Sequence, residues 1–222
     1  MTVLVEAARY AGASARVHAL FARFIPAAQW AALLAAPDLA TVVNLLQQSW
    51  YADQLAALDH PHADAIAVER ALLQQWVQTA RRPFALLQGK SRALVEWYWR
   101  HQELNNLKTL LRAVHHRRAA EQFLPALIAL DVAMELPWPA LATADTIPEL
   151  VDRLRATWYG KVLQNTLEEY RRRQSVFVLE AALDLAYYRR LRDLSTALHG
   201  RDRREAERYI GFWIDAQNLL WA

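Results

Sequence analysis

Apolar positions along the chain recur at three- and four-residue steps, the period of a helix with one buried face. Between Val3 and Phe24 the apolar set is Val3, Ala7, Tyr10, Val17, Leu20, Phe21 and Phe24, which predicts an amphipathic helix ended by Pro26. A short segment around Trp30 to Leu34 leads to Pro37 and Asp38. Asp38 is placed to cap a helix carrying Val42, Leu45, Leu46, Trp50 and Leu55. Asp59-His60-Pro61-His62 reads as a turn, with Asp64 as N-cap of a helix marked by Ile66, Val68, Leu72, Leu73 and Trp76; a break at Arg82-Pro83 follows. Leu94, Trp97, His101, Leu104, Leu107, Leu111 and Val114 form a long stripe. It ends at His115-His116-Arg117-Arg118, where basic residues suit a helix C-terminus. Beyond the proline-rich stretch 136–139, Thr146-Ile147-Pro148-Glu149 has the capping-box pattern. The Thr146 hydroxyl would accept from the Glu149 N–H and the Glu149 carboxylate from the Thr146 N–H. Helices are predicted from there onward, and no stretch alternates apolar and polar residues as a strand would. The expected class is all-α.

Composition agrees with that pattern. In 222 residues, 55% hydrophobic content supplies a packed core, and only five Gly and eight Pro interrupt the good helix formers. The absence of Cys excludes disulfides, thiolate zinc sites, iron–sulfur clusters and cysteine nucleophiles. A net charge of +3 is a weak attraction for nucleic acid. The basic clusters Arg171-Arg172-Arg173 and Arg201, Arg203, Arg204 are diluted by Glu168, Glu169, Asp202 and Glu205, so they read as solvated, ion-paired helix faces, and no nucleic-acid partner is expected. Glu6 and Arg9 interrupt the opening segment, so no signal peptide is expected. Phe123 to Ala142 contains Pro125, Asp131, Glu135, Pro137 and Pro139 and falls short of the roughly 18 apolar residues of a membrane span.

Candidate chemistry is sparse. Gly89-Lys90-Ser91 has Phe84 where a phosphate-binding loop needs its earlier Gly. His60-Pro61-His62 and His115-His116 lack helical i, i+4 spacing and companion ligands, so neither a metal nor a cofactor is expected. Trp50, Trp76, Trp97 and Trp158 fall on apolar stripes and read as core. No acid, base and nucleophile converge in the pattern, so the chain is expected not to be an enzyme.

The halves repeat each other. Val43 to Tyr51 aligns with Val151 to Tyr159 (151 − 43 = 108), and Leu55 and Leu163 keep that offset. Val68-Glu69-Arg70-Ala71-Leu72 aligns with Leu179-Glu180-Ala181-Ala182-Leu183 (179 − 68 = 111). Glu103-Leu104-Asn105-Asn106-Leu107 aligns with Asp215-Ala216-Gln217-Asn218-Leu219 (215 − 103 = 112). Three motifs in one order with a drifting offset mark a duplicated helical-bundle unit of about 110 residues. The expected division is 1–118 and 119–222, the second repeat being truncated at its C-terminal helix. The paired aromatics Trp50, Tyr51, Trp158 and Tyr159 are expected to pack, and the acid and Asn of the third motif, three positions apart on one helix face, to bridge to a neighbouring helix. Superposed repeats would bring Trp50 over Trp158 and Asn106 over Asn218.

At these residues the chain resembles the C-subunit family of V/A-type ATPases, whose eukaryotic member is known as the d subunit. Tyr10-Ala11-Gly12-Ala13-Ser14-Ala15-Arg16-Val17 is similar to the family's opening Tyr, five residues, Arg, hydrophobic segment. Glu103 to Arg112 is similar to its Asp-x-x-Asn-Leu-Lys-x-Leu-Leu-Arg signature, with Glu103 in place of Asp. The family has three such repeats, whereas this chain stops at Ala222 inside the second signature, which implies a fragment or a shortened member. The resemblance implies part of a pseudo-threefold funnel that sits on the membrane rotor ring and receives the shaft subunits. The implied role is a non-catalytic, cytoplasmic, peripheral part of the central stalk, coupling shaft to ring in proton or sodium transport. Polar groups repeated on corresponding helical faces, Glu103, Asn106, Lys108, Arg112, Asp215 and Asn218, are the candidates for a partner interface; the competing reading is that they tie helices together. A stand-alone all-α adaptor binding another protein is the alternative function.

Overall fold

The computed structural model describes residues 2–56, 58, 64–128 and 136–221. Among them are twelve α-helices and no strand, which bears out the all-α class. They are α1 (Thr2–Phe21), α2 (Ala27–Leu34), α3 (Leu39–Gln47), α4 (Ala52–Leu55), α5 (Ala65–Phe84), α6 (Gly89–His115), α7 (Ala120–Phe123), α8 (Trp138–Ala142), α9 (Ile147–Arg153), α10 (Trp158–Arg173), α11 (Val176–Thr196) and α12 (Gly200–Trp221).

Local chemistry sets most of their ends. Asp38 Oδ1 accepts from the Thr41 N–H at 2.8 Å, a bond that holds the Asp38 carboxyl below its usual range, and Asp64 Oδ1 accepts from the Ala67 N–H at 2.7 Å. Thr146 Oγ1 accepts from the Glu149 N–H at 3.3 Å, as the capping box predicts. The Glu149 carboxylate, however, accepts from the N–H of Asp145 at 2.9 Å, one residue before the expected Thr146. α1 stops at Phe21, before the expected end at Pro26, which instead serves as the N-cap of α2. The expected break at Arg82-Pro83 also moves: α5 runs through Pro83 to Phe84 and gives up one bond there, since Pro83 has no N–H for the Thr79 carbonyl. Gly89 and Gly200, at φ 58° and 56°, open α6 and α12 in the left-handed region where a residue without Cβ is at ease.

The chain packs as two compact units, each with its own apolar interior. The first takes the chain up to Leu87 and is centred on Val43, Leu46, Leu55 and Val68. Here Val68 is buried and Leu72 packs against the cluster as the stripe predicts, but Ile66 and Trp76 are 69% and 45% exposed while Gln75 and Val77 are buried, so Trp76 is not core. The second unit begins at Gln88, and in it α11 packs against α6, α10 and α12. Its interior includes Leu104, Leu107, Leu110, Leu111, Leu154, Leu163, Leu179 and Leu183. Each such side chain contributes about 1.5–3 kcal/mol relative to an exposed one. Trp97 and Trp158 are half-buried at its margin.

Helix starts recur as the sequence motifs do: Leu39 and Ile147 (147 − 39 = 108), Ala65 and Val176 (176 − 65 = 111), Gly89 and Gly200 (200 − 89 = 111). Compact units and sequence repeats are different divisions of the chain. α6 carries the last motif of the first repeat yet packs within the second unit.

Candidate functional site

The polar residues of the α6 motif lie inside the second unit. Glu103 is 1% and Asn106 3% exposed, each followed by a fully buried leucine, Leu104 and Leu107. A carboxylate there needs donors. The Tyr159 hydroxyl donates to Glu103 Oε2 at 2.6 Å, and Arg100 Nη1 reaches the same oxygen at 3.4 Å. Burial, and then the Glu103 charge, push the Tyr159 hydroxyl well above its usual range, so it remains a donor.

A tight turn aims Tyr159 at α6. Thr157 Oγ1 donates to the Leu154 carbonyl at 2.7 Å and accepts from the Gly160 N–H at 3.0 Å. A Cβ on Gly160 would stand 2.1 Å from the Leu154 carbonyl oxygen, so only glycine fits. Trp158 meets Trp97 edge-on at 4.8 Å. The equivalent turn of the first unit has the same bond, Ser49 Oγ donating to the Leu46 carbonyl at 2.5 Å, and the Trp50 and Tyr51 rings lie 5.7 Å apart. Among the described residues, the Tyr51 hydroxyl has no hydrogen-bond partner.

Lys108 and Arg112, one turn apart on α6, face Asp184 and Glu180, one turn apart on α11. Lys108 Nζ donates to Asp184 Oδ2 at 2.5 Å. Arg112 makes a two-pronged contact, Nε to Glu180 Oε1 at 2.5 Å and Nη2 to Oε2 at 2.9 Å. Burial pushes the Asp184 carboxyl up, with Lys108 opposing, and the Glu180 hydrogen bond raises the Arg112 guanidinium. The Lys108 side chain is 15% exposed and that of Arg112 59%, so Arg112 alone of the two presents a face to solvent.

Further along the same pair of helices, the Trp97 indole donates to the Tyr187 carbonyl at 3.1 Å and the Tyr187 hydroxyl to the Tyr98 carbonyl at 3.0 Å. His101 meets the rings of Tyr187 and Trp213, at 5.5 and 4.8 Å, and these two rings also meet each other. Burial first, and the nearby Lys108 charge second, push its imidazole down to about 4. Sequence reasoning missed Glu180, Asp184 and Tyr187 as partners. The available signal was the acidic i, i+4 pair that mirrors the basic i, i+4 pair.

The second copy of the motif is placed differently. On α12, Asp215 and Asn218 are exposed and have no side-chain partner among the described residues; Leu219 is 78% exposed, where its counterpart Leu107 is fully buried. Of the histidines, His115 Nδ1 lies 2.9 Å from the Tyr170 hydroxyl, while His60 and His62 fall outside the described residues. Among the described residues no three His, Asp or Glu side chains gather as a metal site, and no helix is long and apolar enough to cross a membrane. Arg171, Arg172 and Arg173 pair with Glu168 and Glu169 on their own helix.

The arrangement therefore holds helices in register by buried polar contacts and leaves Arg112, Asp215 and Asn218 at the surface. Comparison with known proteins gives this a context. A family model described as ATP synthase (C/AC39) subunit matches residues 13–222. The C subunit of the A-type ATP synthase of Methanocaldococcus jannaschii is 26% identical over 217 residues, covering 98% of this chain and 54% of the relative. That of Methanosarcina mazei is 25% identical over 211 residues, covering 95% and 57%. The C subunit of the V-type ATP synthase of Deinococcus radiodurans is 26% identical over 218 residues, covering 96% and 59%. The chain spans about half the length of the curated relatives it matches.

Proposed function

The chain belongs to the ATP synthase (C/AC39) subunit family, and from that premise we propose that it serves as a non-catalytic subunit of a V/A-type rotary ATPase. The match across 13–222 carries the reading. Its place would be the central stalk, peripheral to the membrane on the cytoplasmic side, between the shaft subunits and the rotor ring. There it couples the two during ion transport, with nucleotide chemistry left to other subunits.

The side-chain chemistry of the second unit is consistent with such a role. Its buried polar groups are spent on joining helices: Glu103 to Tyr159, Lys108 to Asp184, Arg112 to Glu180. In this proposal Glu103, Asn106 and Lys108 keep the helices in place, and Arg112, Asp215 and Asn218 meet the shaft. The duplicated unit of 1–118 and 119–222 supplies part of a pseudo-threefold funnel.

Capture by recombinant shaft subunits tests the reading. Asp215→Lys combined with Asn218→Lys, both at exposed positions, should weaken capture about tenfold or more, as loss of charge-assisted contacts does. The melting curve should stay close to that of the unaltered chain. Lys108 is unsuitable for this purpose, because reversing its charge would bury like charges against Asp184. Capture that persists unaltered moves the docking face elsewhere. A chain that never binds the shaft supports the stand-alone adaptor instead.

A further inference from the structure

Sulfur, the usual first target of oxidants, is scarce in this chain: it has no Cys and two Met, against nine Trp and eight Tyr. Oxidising equivalents therefore fall mainly on indoles and phenols, and one buried phenol is placed to hold them. Trp97 and Trp158 are half-buried and meet edge-on at 4.8 Å, and the Trp158 ring lies 5.2 Å from that of Tyr159. The three rings run from the margin of the second unit into its interior, where Tyr159 is 2% exposed. An electron can cross them in short steps.

Charge gives the series a direction. The guanidinium carbons of Arg100 and Arg190 stand 5.6 and 6.0 Å from the centre of the Trp97 ring. Two cations over one ring oppose the removal of an electron from it, so a hole formed on Trp97 is driven toward Trp158. The Trp97 N–H donates to the Tyr187 carbonyl, which is no base, so the oxidised ring does not shed its charge there as a proton.

Tyr159 differs in where its proton can go. Its hydroxyl donates to Glu103 Oε2 at 2.6 Å, and Glu103 is 1% exposed. An oxidised phenol is a strong acid, and this carboxylate already holds its hydrogen bond. Passing the proton across leaves a neutral phenoxyl and a neutral carboxylic acid, so oxidation removes a buried charge instead of creating one. Arg100 Nη1 lies 3.4 Å from the same oxygen, and its side chain, 28% exposed, has solvent to offset the lost charge.

We infer that Tyr159 and Glu103 form a one-electron redox site, supplied through Trp97 and Trp158 and driven by radical oxidants from solution. The step balances. The oxidant takes one electron from an indole and becomes its anion, the indole radical takes one electron from Tyr159, and the Tyr159 proton moves to Glu103. Buried as it is, the resulting phenoxyl cannot meet that of another chain, so it persists.

Pulse radiolysis of the full chain in azide solution tests this, the azidyl radical being the oxidant. Indolyl absorbance should give way to tyrosyl absorbance at a rate independent of protein concentration. Part of the tyrosyl signal should outlast chain-to-chain coupling. Tyr159→Phe should abolish that persistent part. So should Glu103→Gln, which keeps a hydrogen-bond acceptor and removes the base; both variants are compared where circular dichroism shows them folded. Tyr209→Phe, at an exposed phenol, should leave the persistent part unchanged. In heavy water the unaltered chain should form tyrosyl more slowly, since a proton moves with the electron, and this measurement needs no variant. A persistent signal that survives Tyr159→Phe or Glu103→Gln, or that vanishes with Tyr209→Phe, overturns the inference. So does an unaltered chain with no persistent tyrosyl, or with the same rate in heavy water.

Discussion

Glu103 shows what a single residue costs and how the chain offsets it. A carboxylate this buried is destabilising by several kcal/mol unless donors reach it, and the Tyr159 hydroxyl does so at 2.6 Å. Tyr159→Phe keeps the ring and removes the donor; it should lower stability by about 1–3 kcal/mol in urea denaturation. His101 makes a second prediction, in pH. Its imidazole falls to about 4 in the folded state from an ordinary 6.5. Between those values the unfolded chain holds more protons, so stability is complete above about 6.5 and is lost as the pH falls toward 4. Denaturation at pH 7 and pH 4.5 should show the unaltered chain losing about 2 kcal/mol more than His101→Gln. The α6 acid, amide and bases were legible in the sequence as a motif. Their partners were not, because Tyr159, Asp184 and Glu180 lie far along the chain and meet α6 only through packing.

Capped helix starts were the most legible elements, since a cap is a local contact: Asp38, Asp64 and Thr146 each accept from the N–H three residues on. Pro83 and Gly160 were not, and for opposite reasons. Pro83 costs α5 one bond and the helix still runs past it, whereas Gly160 is required by a backbone approach that has no sequence period. Gly160→Ala would drive a Cβ into the Leu154 carbonyl, and neither backbone segment is free to yield. A loss of about 3 kcal/mol or more is expected, read as a lowered denaturation midpoint. The join of α6 to α11 predicts a contrast. Lys108→Met strands the Asp184 carboxylate and should cost about 3–5 kcal/mol, while Lys108→Met with Asp184→Leu should be close to neutral.

At the scale of the whole chain, the sequence carries recurring motifs but no mark of the packing division. Sequence assigns α6 to the first repeat, but its Leu104, Leu107 and Leu111 belong to the second unit's interior, and like apolar residues do not encode which neighbour covers them. Among the described residues, the first unit rests on a smaller buried cluster than the second. Calorimetry should therefore resolve two transitions, the lower from the first unit, with Gly160→Ala displacing only the upper. The α6–α11 join also has a mechanical side. Lys108–Asp184, Arg112–Glu180 and the two bonds between Trp97, Tyr98 and Tyr187 are strung along the helix pair. To slide one helix past the other by a turn, about 5.4 Å, nearly all of these bonds must let go together. Force applied along the helix axes is consequently shared among several bonds in parallel, and the pair resists shear as one beam until it yields all at once.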